Sequence, residues 1–312
     1  MNAAFHFDTL VWDWPIAIYL LLIGISSGMV IIAVVLKRQI LVGNAGSDGI
    51  IKATIIIAPL TVILGLVILI FHLARPWTFW YLMVFYNPHS VMSLGVMLFQ
   101  IYMVALILWI VAIYQQNIVD IIQLAWVSRI VHFIAGWERR LDIAVFILAI
   151  LLGVYTGFLL LALKSYPLLN NPVLPLLFLV SGLTSAVAMA IFCGLAFCKQ
   201  SVHSPSLAFI HQLEQPLILT ELVLLAVFFI GLIFGGGQKE TAALNALSGF
   251  WGAVFWLGVV GLGMVLPVAL RLLCKERIKF HKIYWLAMSG VALCSVFMLR
   301  MFILYAGQMV MA

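Results

Sequence analysis

Between Val67 and Trp80 the chain reads VILIFHLARPWTFW, an aliphatic run that ends in His72 and in Arg75 set directly before a proline. Lipid penalises both side chains, so their place at the edge of an apolar run points to a task or a partner. Other polar groups fall at comparable places. Asp13 stands in VWDWPIAIYL, and Tyr86, Asn87, His89 and Ser90 come just before the apolar run that opens at Val91. Tyr155 and Thr156 interrupt LLGVYTGFLL, with Lys164 shortly after. A carboxylate, an imidazole, a guanidinium and a phenol beside an apolar slot suit an amphipathic molecule with a polar ring and a greasy tail, a quinol. Quinol oxidation releases two electrons and two protons, so each ring hydroxyl needs an acceptor within hydrogen-bond reach. His72 and Asp13 are the expected acceptors, since histidine titrates near neutral pH and burial tunes aspartate upward. Arg75, Tyr155, Thr156 and Asn87 are expected to bind or orient the ring, and Gly28 in GISSG to leave it room.

Each of these residues also has a plainer reading. Trp12, Trp14, Trp77 and Trp80 suit an interfacial aromatic belt. Arg75 can snorkel to headgroups or pair with Asp13, and His72 can be a satisfied interfacial histidine. Tyr155 alone reads as core, and Gly24 and Gly28 alone as a helix-packing motif. Their convergence is what points to a site, and it depends on the elements that carry them.

Those elements are set by composition. Of 312 residues, 66% are hydrophobic and 8% charged, whereas an average globular domain is about a quarter charged. A soluble protein of this length cannot hide so much apolar surface, so a bilayer is its main solvent. Alternating ten-residue strands are absent, which leaves helices as the spanning element. Eight apolar runs are long enough: Pro15–Leu36, Thr54–Leu73, Val91–Ile113, Leu141–Leu163, Pro172–Phe197, Pro216–Phe234, Gly249–Leu272 and Ile283–Tyr305. Pro15, Pro172 and Pro216 suit the first turn of a helix. The expected fold is an all-α integral membrane protein of two four-helix bundles, residues 1–163 carrying the quinol site and residues 164–312 forming the second. The connection Tyr114–Arg140 holds an amphipathic piece, NIVDIIQLAWVSRIVHF, expected to lie along the membrane surface.

Twelve basic residues flank one set of span ends: Lys37, Arg38, Lys52, Arg129, Arg139, Arg140, Lys199, Arg271, Lys275, Arg277, Lys279 and Lys282. The opposite ends carry three, Arg75, Lys164 and Lys239. By the positive-inside rule both termini are then periplasmic, in a bacterial inner membrane, and His72, Asp13 and Tyr155 share the periplasmic leaflet. The first fourteen residues hold no Lys or Arg, the reverse of a signal peptide, so no cleavage is expected. The basic residues are interleaved with no base-stacking motif, which argues against nucleic acid. Cys193, Cys198, Cys274 and Cys294 show neither CxxC nor zinc spacing and read as buried hydrophobes, so no metal is expected.

In the second half, HQLEQPLILTE sets Glu214 and Glu221 seven apart on one helical face, and Arg300 lies inside the last span. Such charges should face protein, as a structural pair or as a proton path. A haem crossing the bundle would need paired intramembrane histidines. His72 is the one clearly placed, while His6, His89, His132, His203, His211 and His281 read as loop or helix-margin residues. Electrons are therefore expected to leave bound quinol straight for a docked periplasmic partner.

WDWPIAIYLLLIGISSG, ILIFHLARPWTFW, GVYTGFLLLALKSYPLLNNPVLP and RMFILYAGQ resemble the NrfD/PsrC family of polysulfide-reductase membrane subunits over the whole chain. Within it they resemble the branch serving the formate-dependent (cytochrome c) nitrite reductase pathway. The resemblance implies an eight-helix, haem-free quinol dehydrogenase with a pocket near the periplasmic face of the first four helices. Carried onto this sequence, that pocket involves Asp13, His72, Arg75 and Tyr155. It also implies a periplasmic ferredoxin-like, NrfC-like iron–sulfur partner, and through it a multihaem cytochrome c and a nitrite reductase that makes ammonium. Relatives often carry an acid where His72 stands, so the proton acceptor stays open, as does menaquinol against ubiquinol. Two other classes compete: a passive membrane anchor, which would bind no quinone analogue, and a secondary transporter, which would show paired mid-helix breaks.

Overall fold

The computed structural model describes residues 4–41, 45–73, 75–198, 201, 204–273 and 281–310. Lys199, His203, Cys274, Lys275, Arg277 and Lys279 lie outside them. Among the described residues the chain is helical without strands. Eight helices have the length and composition to cross a membrane: α1 (Trp14–Gln39), α2 (Gly49–Phe71), α4 (Val91–Ile113), α7 (Glu138–Leu161), α8 (Leu174–Ala196), α9 (Pro205–Phe234), α11 (Gly249–Leu273) and α12 (Lys282–Gln308). Four shorter ones connect them: α3 (Phe79–Val84), α5 (Gln115–Ile122), α6 (Ala125–Ala135) and α10 (Gly237–Ala246).

Hydropathy alone cannot rank these helices by burial, because lipid and protein interior are equally apolar. Packing does rank them. The buried share of the most apolar stretch is 78% in α1 and 67% in α8, against 28% in α2, α4, α9 and α11. Thus α1 and α8 form the centre, and α2, α4, α9 and α11 are the least buried and lie around it. The central pair touches along small residues. A Cβ added to Gly28 would lie 2.5 Å from the Ala186 Cβ and 2.7 Å from the Gly182 carbonyl oxygen, and one on Gly24 would lie 3.2 Å from the Gly182 Cα. Gly28 is therefore a backbone-contact residue between α1 and α8, and the expectation that it leaves room for a ring gives way to helix packing.

Charges tie the opposite part of the first half. Asp142 at the start of α7 accepts from Lys37 Nζ at 2.8 Å, Arg38 Nε at 3.2 Å and Trp109 Nε1 at 2.8 Å. Lys37 also pairs with Glu138 at 2.6 Å. The ends of α1 and α4 thus meet the start of α7. The start of α1, the start of α4 and the end of α7 must share the other end of the bundle, where the sequence places its chemistry.

At that other end, residues 4–13 strap onto the last helix. The buried Gln308 side chain accepts from the Val11 and Trp12 amides at 2.8 and 3.0 Å and donates to the Trp12 and Leu304 carbonyls at 3.0 and 2.9 Å. Thr9 Oγ1 donates to the Gln308 carbonyl at 2.6 Å, and the Trp14 amide donates to Tyr305 Oη at 3.0 Å.

Three expectations change. Pro216 lies inside α9, which starts eleven residues earlier at Pro205. The true start signal is Ser204, whose Oγ accepts from the Leu207 amide at 3.3 Å, followed by a first-turn proline. Pro172 stands before α8, where Pro175 takes the first-turn position. The amphipathic piece is two helices, α5 and α6, broken at Gln123 with a left-handed φ of 48°. Its exposed apolar residues include Ile121, Trp126 and Phe133. In α11, residues Val254–Val265 form a π-helix just before Pro267, a residue with no backbone N–H to give the carbonyl four residues back.

Truncating Gln308 leaves two backbone N–H groups without their acceptor, at about 1–3 kcal/mol per orphaned buried group. Gln308→Ala should lower the melting temperature of the purified protein and speed proteolysis of residues 4–13. A variant that melts and resists protease like the wild type would show that the strap carries no stability.

Candidate functional site

The first polar cluster sits where α1 and α4 begin and α2 and α7 end. Tyr19 on α1 is fully buried, and its hydroxyl has no hydrogen-bond partner among the described residues. It packs beside Phe99 of α4 with ring centroids 6.3 Å apart, and Phe99 meets Tyr155 of α7 edge-on at 5.9 Å. Two phenols therefore flank one phenyl ring, each about 7–9 Å from its helix end at 1.5 Å per residue. Glycines make the arrangement fit. A Cβ on Gly95 would fall 1.9 Å from Tyr155 Oη, and one on Gly65 3.3 Å from Tyr19 Cδ2. Sequence reasoning misses Tyr19, because a tyrosine in IYLLLIG reads as core; no local pattern distinguishes it.

The residues that the sequence singles out divide. Tyr155 is in the cluster. His72 caps α2 at the same end and is half-buried. Asp13 is the N-cap residue of α1, yet its carboxylate makes no capping bond, and it is half-buried. Arg75 is exposed and forms no ion pair with Asp13 or any other described residue. Asn87 is committed locally, since its Oδ1 accepts from the His89 amide at 3.0 Å. Thr156 is fully buried, and its hydroxyl donates to the Gly153 carbonyl at 2.7 Å within its own helix. Gly28 lies in the α1/α8 contact. Tyr86 braces the loop before α4 by bonding the Met83 carbonyl and Gln100 Oε1. Trp14, Trp77 and Trp80 are 56%, 89% and 56% exposed, as belt residues would be.

The second cluster lies between α8, α9, α11 and α12. Glu214 and Glu221 line one cavity with Thr184, Ser289, Ser295 and Trp285. Its volume is about 20 Å³. A water needs roughly 10–15 Å³, so the cavity suits a water and is far too small for a quinol ring. Glu221 accepts from Thr184 Oγ1 at 3.1 Å. Arg300 does not pair with it. Its NH2 donates to the Phe178 carbonyl at 3.1 Å, and its guanidinium carbon lies 3.8 Å from the Phe178 ring centre. Arg300 Nε and NH1 have no partner among the described residues. Because α12 continues to Gln308, Arg300 sits about 12 Å from the helix end, deeper than the sequence alone places it. His211 is a further correction. The sequence makes it a helix-margin residue, whereas it lies inside α9, its ring 3.7 Å from that of Trp285 with both nitrogens unpartnered among the described residues. The longer α9 explains the change.

Among the described residues no three His, Cys, Asp or Glu side chains converge as a metal site requires. The chemistry on offer is hydrogen bonding and proton exchange: phenols and an imidazole near one helix end, carboxylates around a water-sized cavity in the other half.

Residues 2–312 match the family model described as "Polysulphide reductase, NrfD". The sequence is 47% identical to Protein NrfD of Escherichia coli strain K12, the alignment covering all of this protein and 99% of that one. It is 47% identical to a Protein NrfD homolog of Haemophilus influenzae, over 99% of this protein and 98% of that one. The C subunit of polysulfide reductase from Wolinella succinogenes is 41% identical, over 97% of this protein and 96% of its own length. A whole-length match at these identities, on eight helices able to cross a membrane, places this protein in the NrfD/polysulfide reductase family of multi-pass membrane subunits of oxidoreductase complexes.

Proposed function

We propose that this protein is a haem-free quinol dehydrogenase subunit of the bacterial inner membrane, with both termini periplasmic. It oxidises menaquinol or ubiquinol and passes electrons to a periplasmic ferredoxin-like, NrfC-like iron–sulfur protein. Electrons then reach a multihaem cytochrome c and a nitrite reductase that forms ammonium, as in anaerobic respiration. The observation that carries the reading is the pair of buried phenols. Tyr19 holds a hydroxyl with no partner among the described residues, and Tyr155 lies across Phe99 from it. An unpaired buried hydroxyl such as that of Tyr19 costs about 1–3 kcal/mol, a cost that a ring oxygen accepting from it would recover. The relative from Wolinella succinogenes, named for polysulfide reductase, fits the same redox class.

In this reading residues 1–163 form the quinol-binding unit and residues 164–312 its companion. Tyr19 and Tyr155 orient the ring from inside. His72 and Asp13, nearer the helix ends, accept the two protons as two electrons leave for the docked partner. Arg75 and Asn87, both exposed, sit at the mouth. Protons and electrons leaving on one side make no membrane potential. Glu214 and Glu221, beside a water-sized cavity, supply the route by which further protons, taken up on the basic side and released on the periplasmic side, would make turnover electrogenic.

Tyr155→Phe should slow quinol-dependent reduction of the partner about tenfold, the loss of one transition-state hydrogen bond, with the complex still assembled. Removing the proton acceptor costs more, about a hundredfold in whichever of His72→Ala and Asp13→Asn carries that role. Wild-type rates in all three variants would remove this cluster from the reaction. In proteoliposomes Glu221→Gln should keep quinol oxidation while abolishing charge movement. Charge movement equal to the wild type would rule out the glutamate path.

A further inference from the structure

The opposite, basic end of the first half carries a second opening that the redox reading does not use. A cleft of about 1050 Å³ opens between the ends of α1 and α4, the starts of α2 and α7, and the first turn of α5. Among the described residues four cations line it, Lys37, Arg38, Lys52 and Arg139, against two carboxylates, Glu138 and Asp142, which leaves two positive charges in excess. The charges are not equivalent. Lys37 and Asp142, 8% and 5% exposed, neutralise each other in the wall, with Glu138 and Arg38 completing the network. Lys52 and Arg139 are exposed, and neither forms an ion pair with a described residue. Among the described residues the cleft thus has an internally neutral, ion-paired wall and two uncommitted cations at its rim.

We propose that this cleft binds the phosphate headgroup of an anionic phospholipid. A phosphodiester carries the single negative charge and the acceptor oxygens that two uncommitted cations would satisfy, and basic clefts between spanning helices are where such headgroups bind. The volume accommodates a headgroup, since ligand pockets run to about 1,000 Å³. The surroundings favour a lipid over a soluble anion. Leu41, Ala112 and Ile113 line the cleft, and Ile107 on α4 and Ile143 on α7 are exposed, so an acyl tail has an apolar path down the helix sides. The amphipathic α5 and α6 beside it expose Ile121, Trp126 and Phe133, which sets the cleft at the level of the membrane surface. Tyr114, whose hydroxyl donates to the Gly46 carbonyl at 3.0 Å, closes the far side and ties α4 to the turn before α2. A bound headgroup would clamp the same helix ends that Asp142 already joins.

Native mass spectrometry of the full-length protein in detergent, titrated with phosphatidylglycerol and with phosphatidylcholine, tests this. Phosphatidylglycerol should bind more tightly than phosphatidylcholine. Lys52→Ala/Arg139→Ala should weaken it about thirtyfold, the loss of two basic contacts at a lipid surface. Each single variant should weaken it about fivefold, which keeps the test sound if the double variant folds poorly. Neither residue belongs to the buried ion-pair network, so melting without lipid should not change. Equal affinity for the two lipids, or equal phosphatidylglycerol binding by wild type and variants, would overturn the proposal. Displacement of phosphatidylglycerol by millimolar inorganic phosphate would overturn the lipid as ligand in favour of a soluble phosphate.

Discussion

The contact between α1 and α8 is the constraint on which the molecule turns. Water does not drive helices together in lipid, so close backbone approach and its van der Waals contact must do so. Gly24 and Gly28 on one helix and Gly182 on the other permit that approach, and at Gly28 even a methyl group would collide with Ala186 and the Gly182 carbonyl. With α1 and α8 held at the centre, the remaining helices arrange around them, α2 and α7 against α1, α9 and α12 against α8. The same contact positions a fully buried guanidinium. Arg300 NH2 lies 3.5 Å from where a Gly24 Cβ would be, in van der Waals range of the α1/α8 contact.

Polar groups around this centre fall into three sets with different physical roles. Lys37, Asp142, Glu138 and Trp109 satisfy one another and join helix ends; breaking such a buried pair is costly because a charge is left alone. Glu214, Glu221 and Thr184 surround a space the size of a water. Tyr19 and Tyr155 have partners in shape, Phe99 and the glycines, but Tyr19 has none in hydrogen bonding among the described residues. A satisfied network argues for structure. Arg300 and His211 also hold unpartnered nitrogens among the described residues, in the half where the cavity beside Glu214 and Glu221 admits only a water, so the proposed quinol site rests on the unsatisfied Tyr19 hydroxyl standing with Tyr155 near the end of the bundle.

Much of the fold is legible in the residues themselves. All eight spans stand out because about twenty apolar residues are required to cross lipid, whatever the packing. Boundaries fail where two signals compete: Ser204-Pro205 and Pro216 both resemble helix starts, and capping geometry decides for the first. The site is only partly legible. His72, Asp13 and Tyr155 stand out as polar residues in apolar context, but Tyr19 does not, since its significance comes from Phe99 and Gly65 on other helices. Gly28 is legible as a small residue, though not which neighbour needs it small. Lys37 and Lys52 count equally toward orientation in the sequence. In three dimensions one is buried in an ion-pair network and the other is exposed and uncommitted.

The central claim is a location: the quinol ring enters among Tyr19, Phe99 and Tyr155, and not among the carboxylates of the second half. Photolabelling of the assembled protein with a photoreactive quinone, followed by peptide mapping, reads that location directly. The account predicts label on segments containing Tyr19, Gly95–Phe99 and Tyr155, competed away by excess quinol. Competable label confined to α9 and α11, around Glu214, Glu221 and the π-helical segment, would contradict it.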